Sequence, residues 1–93
     1  MFKTNEYFNG NVVSIAYQNE EGVATVGVMA PGEYEFGTSS IEYVTIVSGE
    51  MTVQLPGASE WRTFKVNDTF KVEKDSKFQL KIASDCAYKC IYV

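Results

Sequence analysis

No part of this chain keeps apolar residues at helical spacing. No window of roughly a dozen residues places them at i, i+3, i+4 and i+7, and period-two alternation, the mark of strands, takes their place. Val13, Ile15 and Tyr17 alternate with polar or small neighbours, and so do Ala24, Val26 and Val28. Glu42 to Val47 is a β-branched run. Met51, Val53 and Leu55 alternate with Thr52 and Gln54, and Phe70 and Val72 follow. Phe78, Leu80 and Ile82 come next, and Tyr88, Cys90 and Tyr92 close the series. Turn chemistry separates these runs at Asn9-Gly10-Asn11, Glu20-Glu21-Gly22, Pro31-Gly32, Ser48-Gly49, Pro56-Gly57, Asn67-Asp68 and Lys74-Asp75-Ser76. Gly reaches positive φ without steric cost and Pro presets φ, so such clusters end strands. Many short strands with regular turns predict an all-β sandwich or barrel with essentially no helix.

Length and charge narrow the classes. Ninety-three residues, 45% of them apolar, make one domain, 1–93, with one modest core. A chain of this size buries a limited share of its surface, so a second subunit is a natural source of further burial. The net charge of −4 argues against nucleic acid, which calls for basic patches. No apolar run approaches the roughly 20 residues that span a bilayer. Met1 to Glu6 lacks the basic start and apolar stretch of a secretory signal, which points to the cytoplasm. Cys86 and Cys90 agree with a reducing compartment. On one extended strand they stand roughly 13 Å apart, beyond the reach of a disulfide. Free thiols are expected, with Cys90 a small core residue.

The stretch from Pro31 to Gly49 resembles the first cupin motif: a Pro-Gly turn, two histidines one residue apart, a glutamate, six residues, then glycine. Glu42, its six followers and Gly49 fit, while Thr38 and Ser40 stand where the histidines would be. Asn67 to Ile82 resembles the second motif, with Glu73 at its proline position and Phe78 at its third histidine. A cupin-type β-barrel, or jelly roll, follows as the expected fold. On a continuous strand Tyr34, Phe36, Thr38, Ser40, Glu42, Val44 and Ile46 would share one face. Transition-metal cupins use imidazole ligands, and this chain has no histidine, so no metal site is expected. Hydroxyls, one carboxylate and aromatic faces suit a polar, ring-bearing small molecule.

Asn5-Glu6-Tyr7-Phe8, Val26-Gly27-Val28-Met29, Gly32-Glu33-Tyr34, Thr38, Glu42, Ser48-Gly49, Leu55-Pro56, Trp61, Phe70, Ser76, Phe78 and Tyr88-Lys89-Cys90-Ile91-Tyr92-Val93 run in order along the whole chain. Together they look like the small cupin-type pyrimidine/purine nucleoside phosphorylases. Ile91 departs from the pattern, since an arginine is expected there in the family. The resemblance implies phosphate-dependent cleavage of the N-glycosidic bond of nucleosides. The products are free base and ribose 1-phosphate, base specificity is broad, and no metal or cofactor takes part beyond inorganic phosphate as co-substrate. It also implies a homodimer acting on nucleosides.

That reaction builds oxocarbenium-like charge on the sugar and needs donors to hold phosphate in line. Glu42 is the candidate for the sugar charge, with Thr38 as its catalytic companion and Ser40 as a donor. Tyr34, Phe36, Phe70, Phe78 and Tyr92 are candidates to wall the base, and Lys89 or Arg62 to meet phosphate. Core packing is the competing role for Phe70, Phe78 and Trp61. A non-catalytic nucleoside- or sugar-binding cupin, or a purely structural dimer-forming domain, would fit the same composition.

Overall fold

The computed structural model of the chain describes Met1–Val93. It contains ten strands and no helix: β1 (Thr4–Tyr7), β2 (Val12–Asn19), β3 (Gly22–Met29), β4 (Gly32–Gly37), β5 (Glu42–Ser48), β6 (Met51–Gln54), β7 (Arg62–Phe64), β8 (Thr69–Val72), β9 (Lys77–Ile82) and β10 (Cys86–Tyr92). They form a six-stranded sheet in the order β1-β2-β3-β10-β5-β8 and a four-stranded sheet in the order β4-β9-β6-β7. All neighbours pair antiparallel. This is the cupin-type all-β architecture expected from the sequence.

The turns hold where Gly, Asn and Asp were read. Asn67 and Asp75 adopt left-handed φ of 75° and 58°. Gly49 adopts φ 83°, and a Cβ there would lie 2.8 Å from the Asp85 carbonyl oxygen, so only glycine fits this strand end.

The core fills the space between the inner faces of the two sheets. Val44, Ile46, Val72, Cys86 and Cys90 come from the six-stranded sheet, and Met51, Val53, Phe64, Phe78, Leu80 and Ile82 from the other. Both cysteines are free and buried. The rings of Phe64 and Phe70 meet across the sheets at 4.7 Å, and those of Phe70 and Phe78 at 6.3 Å.

Strands β2 and β3 depart from the usual apolar-in alternation, because their inner face carries Ser14 and Thr25 beside Val12 and Met29 while their outer face is apolar. Val12 and Met29, a cross-strand pair, point inward. The conspicuous sequence phase faces out: Ile15, Val26 and Val28 are 44%, 45% and 51% exposed. Ile15 pairs with Val26 and Val13 with Val28, so these side chains make one continuous apolar stripe on the outside of the large sheet.

The expected continuous strand through Thr38 and Ser40 is broken. β4 ends at Gly37 in one sheet and β5 begins at Glu42 in the other. Thr38 to Ile41 is the corner where the chain crosses between sheets. There the backbone bonds to a turn instead of a ladder: the Thr38 N–H donates to Ser76 O (2.9 Å) and the Asp75 N–H to Thr38 O (3.1 Å). Tyr34, Phe36, Val44 and Ile46 still converge on the core, from two sheets.

Candidate active site

Cross-strand register assembles the site on the inner face of the large sheet. One row runs Val72, Glu42, Tyr92 and Val23 across β8, β5, β10 and β3. The next runs Phe70, Val44, Cys90 and Thr25. A third runs Ile46, Tyr88, Gly27 and Ser14. Gly27 is needed in that third row, because a Cβ there would come within 2.6 Å of the Val13 carbonyl oxygen and 2.8 Å of the Tyr88 hydroxyl. The missing side chain is what lets the Tyr88 ring lie against the sheet.

Between the sheets lies a cavity of about 250 Å³, open to solvent at one end. Phe36, Phe78, Leu80 and Met51 form one wall; Glu42, Val44, Tyr88, Cys90, Tyr92, Ser14 and Met29 form the other. Tyr7, Gly37 and Ser39, all exposed, stand at the opening. The volume lies near the lower end of the usual range for small-molecule sites, roughly 300–1,000 Å³.

Glu42 is the one charged side chain on this wall. It is half-buried, and its Oε1 accepts a hydrogen bond from the Cys90 thiol at 3.5 Å. Burial raises its pKa above the ordinary value of 4.5, and the Cys90 bond opposes the rise. Tyr88, buried beside it, is pushed up to about 12, chiefly by desolvation. Cys90 and Tyr92 are raised too, first by burial and then, among other causes, by the Glu42 charge. The Tyr92 hydroxyl hydrogen-bonds Thr25 Oγ1 at 3.0 Å. At neutral pH the thiol and the phenols are therefore neutral hydrogen-bonding groups.

Of the residues singled out in the sequence, Glu42, Phe36, Phe78 and Tyr92 line the cavity. Tyr34, Thr38, Ser40, Phe70 and Lys89 do not. Tyr34 is buried and donates its hydroxyl to Ala30 O at 2.6 Å, closing the turn before β4. Thr38 Oγ1 donates to Glu73 O (2.7 Å) and accepts from the Ser76 N–H (3.0 Å), which fastens the corner. Ser40 is half-buried in that corner, displaced by the break in the strand. Phe70 packs in the core against Phe64 and Phe78. Lys89 sits on the outer face, between Val26 and Thr45, and pairs with Glu21 at 3.2 Å. Arg62 lies over the Phe64 ring on β7, and Ile91 shares the outward phase of Lys89. A side chain at position 91 thus points away from Glu42, whatever its charge. No lysine or arginine lines the cavity, and no three Cys, Asp or Glu side chains gather as metal ligands.

Ser39, Tyr7, Ser14, Tyr88 and Cys90 also line it. For Tyr88 and Cys90 the signal was present, since both share the phase of Tyr92. Ser39 has no such signal, because only the break in the strand turns it toward the opening.

The two sheets and the carboxylate-bearing cavity between them define a small cupin. The chain belongs to the pyrimidine/purine nucleoside phosphorylase family, whose model matches residues 2–92. A relative named pyrimidine/purine nucleoside phosphorylase from Pseudomonas putida (strain W619) is 62% identical over 92 residues, covering 99% of this chain and 98% of that one. A crystal structure from Vibrio parahaemolyticus matches with TM-score 0.94 at 40% identity, over 100% of this chain and 99% of the other. A putative ethanolamine utilization protein from Salmonella typhimurium shares the fold, with TM-score 0.75 at 13% identity over 99% and 93% of the two chains.

Proposed function

We propose that the chain catalyses phosphorolysis of nucleosides, with phosphate attacking the anomeric carbon as the N-glycosidic bond breaks and the base departs. The observation that carries this reading is Glu42, a lone half-buried carboxylate facing a cavity walled mainly by apolar side chains. An oxocarbenium-like sugar is cationic, and a carboxylate in a low-dielectric wall is well suited to it. Phe36 and Phe78, with ring centroids 6.0 Å apart, would flank the base. Contact through ring faces and the apolar Met29, Met51 and Leu80 supports broad base tolerance.

Phosphate would enter at the open end. With no cation on the wall, its donors would be the hydroxyl and the N–H of Ser39, which make no hydrogen bond within the chain. The proposed steps use carboxylate, hydroxyl and N–H groups alone. Two free thiols fit a reducing compartment such as the cytoplasm.

The working unit in this proposal is a homodimer joined through the outer face of the large sheet. That face carries Val13, Ile15, Val26, Val28, Ile91 and Tyr43, and the Lys89 charge within it is matched by Glu21. The four strands that carry these residues, up to eight residues long, give a face of about 19 by 26 Å, the same order as the roughly 800 Å² that each partner buries in a standard interface. The same patch on a second copy would meet it about a two-fold axis.

Base release from uridine, cytidine, adenosine, guanosine, inosine and xanthosine, with and without phosphate, tests the activity. The expected result is release that requires phosphate and falls about 10²-fold or more in Glu42→Gln. No release from any nucleoside by the folded protein would overturn it and leave a nucleoside-binding cupin in its place.

A further inference from the structure

We propose that Cys90 is a positioning residue for Glu42: its thiol holds one carboxylate oxygen and so presents the other to the cavity. The inference rests on the reading of Glu42 as the group that faces the sugar. Its geometry is independent of that reading. Cys90 Sγ lies 3.5 Å from Glu42 Oε1, and Glu42 Oε2 accepts no hydrogen bond from the chain. Cys90 is 2% exposed and stands on β10, which is laddered on both sides by β3 and β5. Its backbone is therefore fixed, and the donor is fixed with it.

No other group in the chain does this work. Tyr92, directly across from Glu42, has its hydroxyl engaged with Thr25. Val72, opposite Glu42 on β8, is apolar. Tyr88 of β10 and Tyr7 of β1 are the remaining titratable groups on the cavity wall, and neither hydrogen-bonds Glu42. Burial holds the Cys90 thiol well above its ordinary pKa, so it stays protonated and acts as a donor, not as a nucleophile. A weak S–H donor is enough here because its acceptor is charged and partly desolvated.

The test compares wild type with Cys90→Ala, Cys90→Val and Cys90→Ser. Carboxyl ¹³C NMR follows the titration of Glu42, and phosphate-dependent base release is measured against pH. Loss of the donor in Cys90→Ala or Cys90→Val is expected to raise the Glu42 midpoint and move the acid limb of the rate profile to higher pH. Turnover at saturation should fall about 3- to 10-fold, with KM changed less. Cys90→Ser, which restores a donor of similar size, should return the midpoint and the rate toward wild type. Val keeps the site filled should Ala unfold the protein. An unchanged Glu42 titration in the folded Ala or Val variant overturns the proposal, as does Cys90→Ser behaving like Val. The NMR titration needs no turnover. If Glu42→Gln keeps full activity, the sugar-facing reading fails while the Cys90–Glu42 coupling is still decided.

Discussion

Tyr92 faces Glu42 directly across β10 and β5, yet its hydroxyl is bound to Thr25 Oγ1, 3.0 Å away, and the carboxylate is left to the Cys90 thiol. The arrangement places a charge against buried side chains with one weak donor to support it. Such an environment disfavours the ionised form.

The pH dependence of stability follows from that. Burial raises the folded pKa of Glu42 above its ordinary 4.5, so the folded chain holds this proton more tightly than the unfolded one. The resulting stability is present in full below the unfolded pKa and is lost as pH rises through the folded value. Glu42→Gln should therefore raise the melting temperature at about pH 8 and leave it nearly unchanged at about pH 4. Calorimetry at both pH values checks this. A variant equally destabilised at both would contradict it. Because the proposed chemistry needs the ionised form, the acid limb of the rate profile should lie above the ordinary carboxylate value.

Phe36 is the half-buried member of the ring pair in the cavity and packs against Tyr7, Phe8 and Phe78. Phe36→Leu keeps most of the apolar volume and removes the flat face. The expected result is a rise in nucleoside KM of about tenfold with kcat less affected, given that stacking is worth about 1–3 kcal/mol per base. Steady-state kinetics with one purine and one pyrimidine nucleoside would show it.

Thr38 should act on stability. Thr38→Val leaves the half-buried Ser76 N–H and the Glu73 carbonyl without their side-chain partner and should cost about 1–3 kcal/mol. In a chain of this size each kcal/mol lowers the melting temperature by roughly 4–8 °C. Thr38→Ser keeps the hydroxyl and should recover most of the loss. Urea denaturation reads both, and a large fall in kcat at full stability would instead make Thr38 part of the chemistry.

The outer face predicts the oligomeric state. The wild type should sediment at twice the 10.4 kDa chain mass, and Val26→Lys, placed in the middle of the stripe, should sediment as a monomer. A wild type that is monomeric at micromolar concentration, or a dimer untouched by Val26→Lys and Ile15→Lys together, would rule out this face.

The strands and turns were legible because they are local. Side chains of an extended chain alternate, and Gly, Asn and Asp at positions such as Gly49, Asn67 and Asp75 mark backbone that other residues adopt only with strain. The family was legible for a related reason, since its residues recur in order along the chain. β1 and β7 were not visible: Thr4-Asn5-Glu6-Tyr7 has a single apolar residue and so no alternation, and the three residues of Arg62–Phe64 are too short for a period to show.

The sequence by itself determined an all-β chain without imidazole ligands, and it marked Glu42 as a carboxylate among inward-facing β-branched residues. Which face of a strand is inside was decided only by the tertiary structure. In β2 and β3 the more apolar phase lies outward and the inward phase carries Ser14 and Thr25 beside Val12 and Met29, so alternation marks two faces without saying which one the second sheet covers, and packing between the sheets is what sends Ile15, Val26 and Val28 outward. The corner at Thr38–Ile41 was decided in the same way. Hydrogen bonds to the 73–76 turn, some thirty-five residues further on, break the strand, move Thr38 and Ser40 away from Glu42 and bring Ser39 to the opening. Contacts that distant in sequence leave no local pattern, and it is they that place the side chains around the carboxylate.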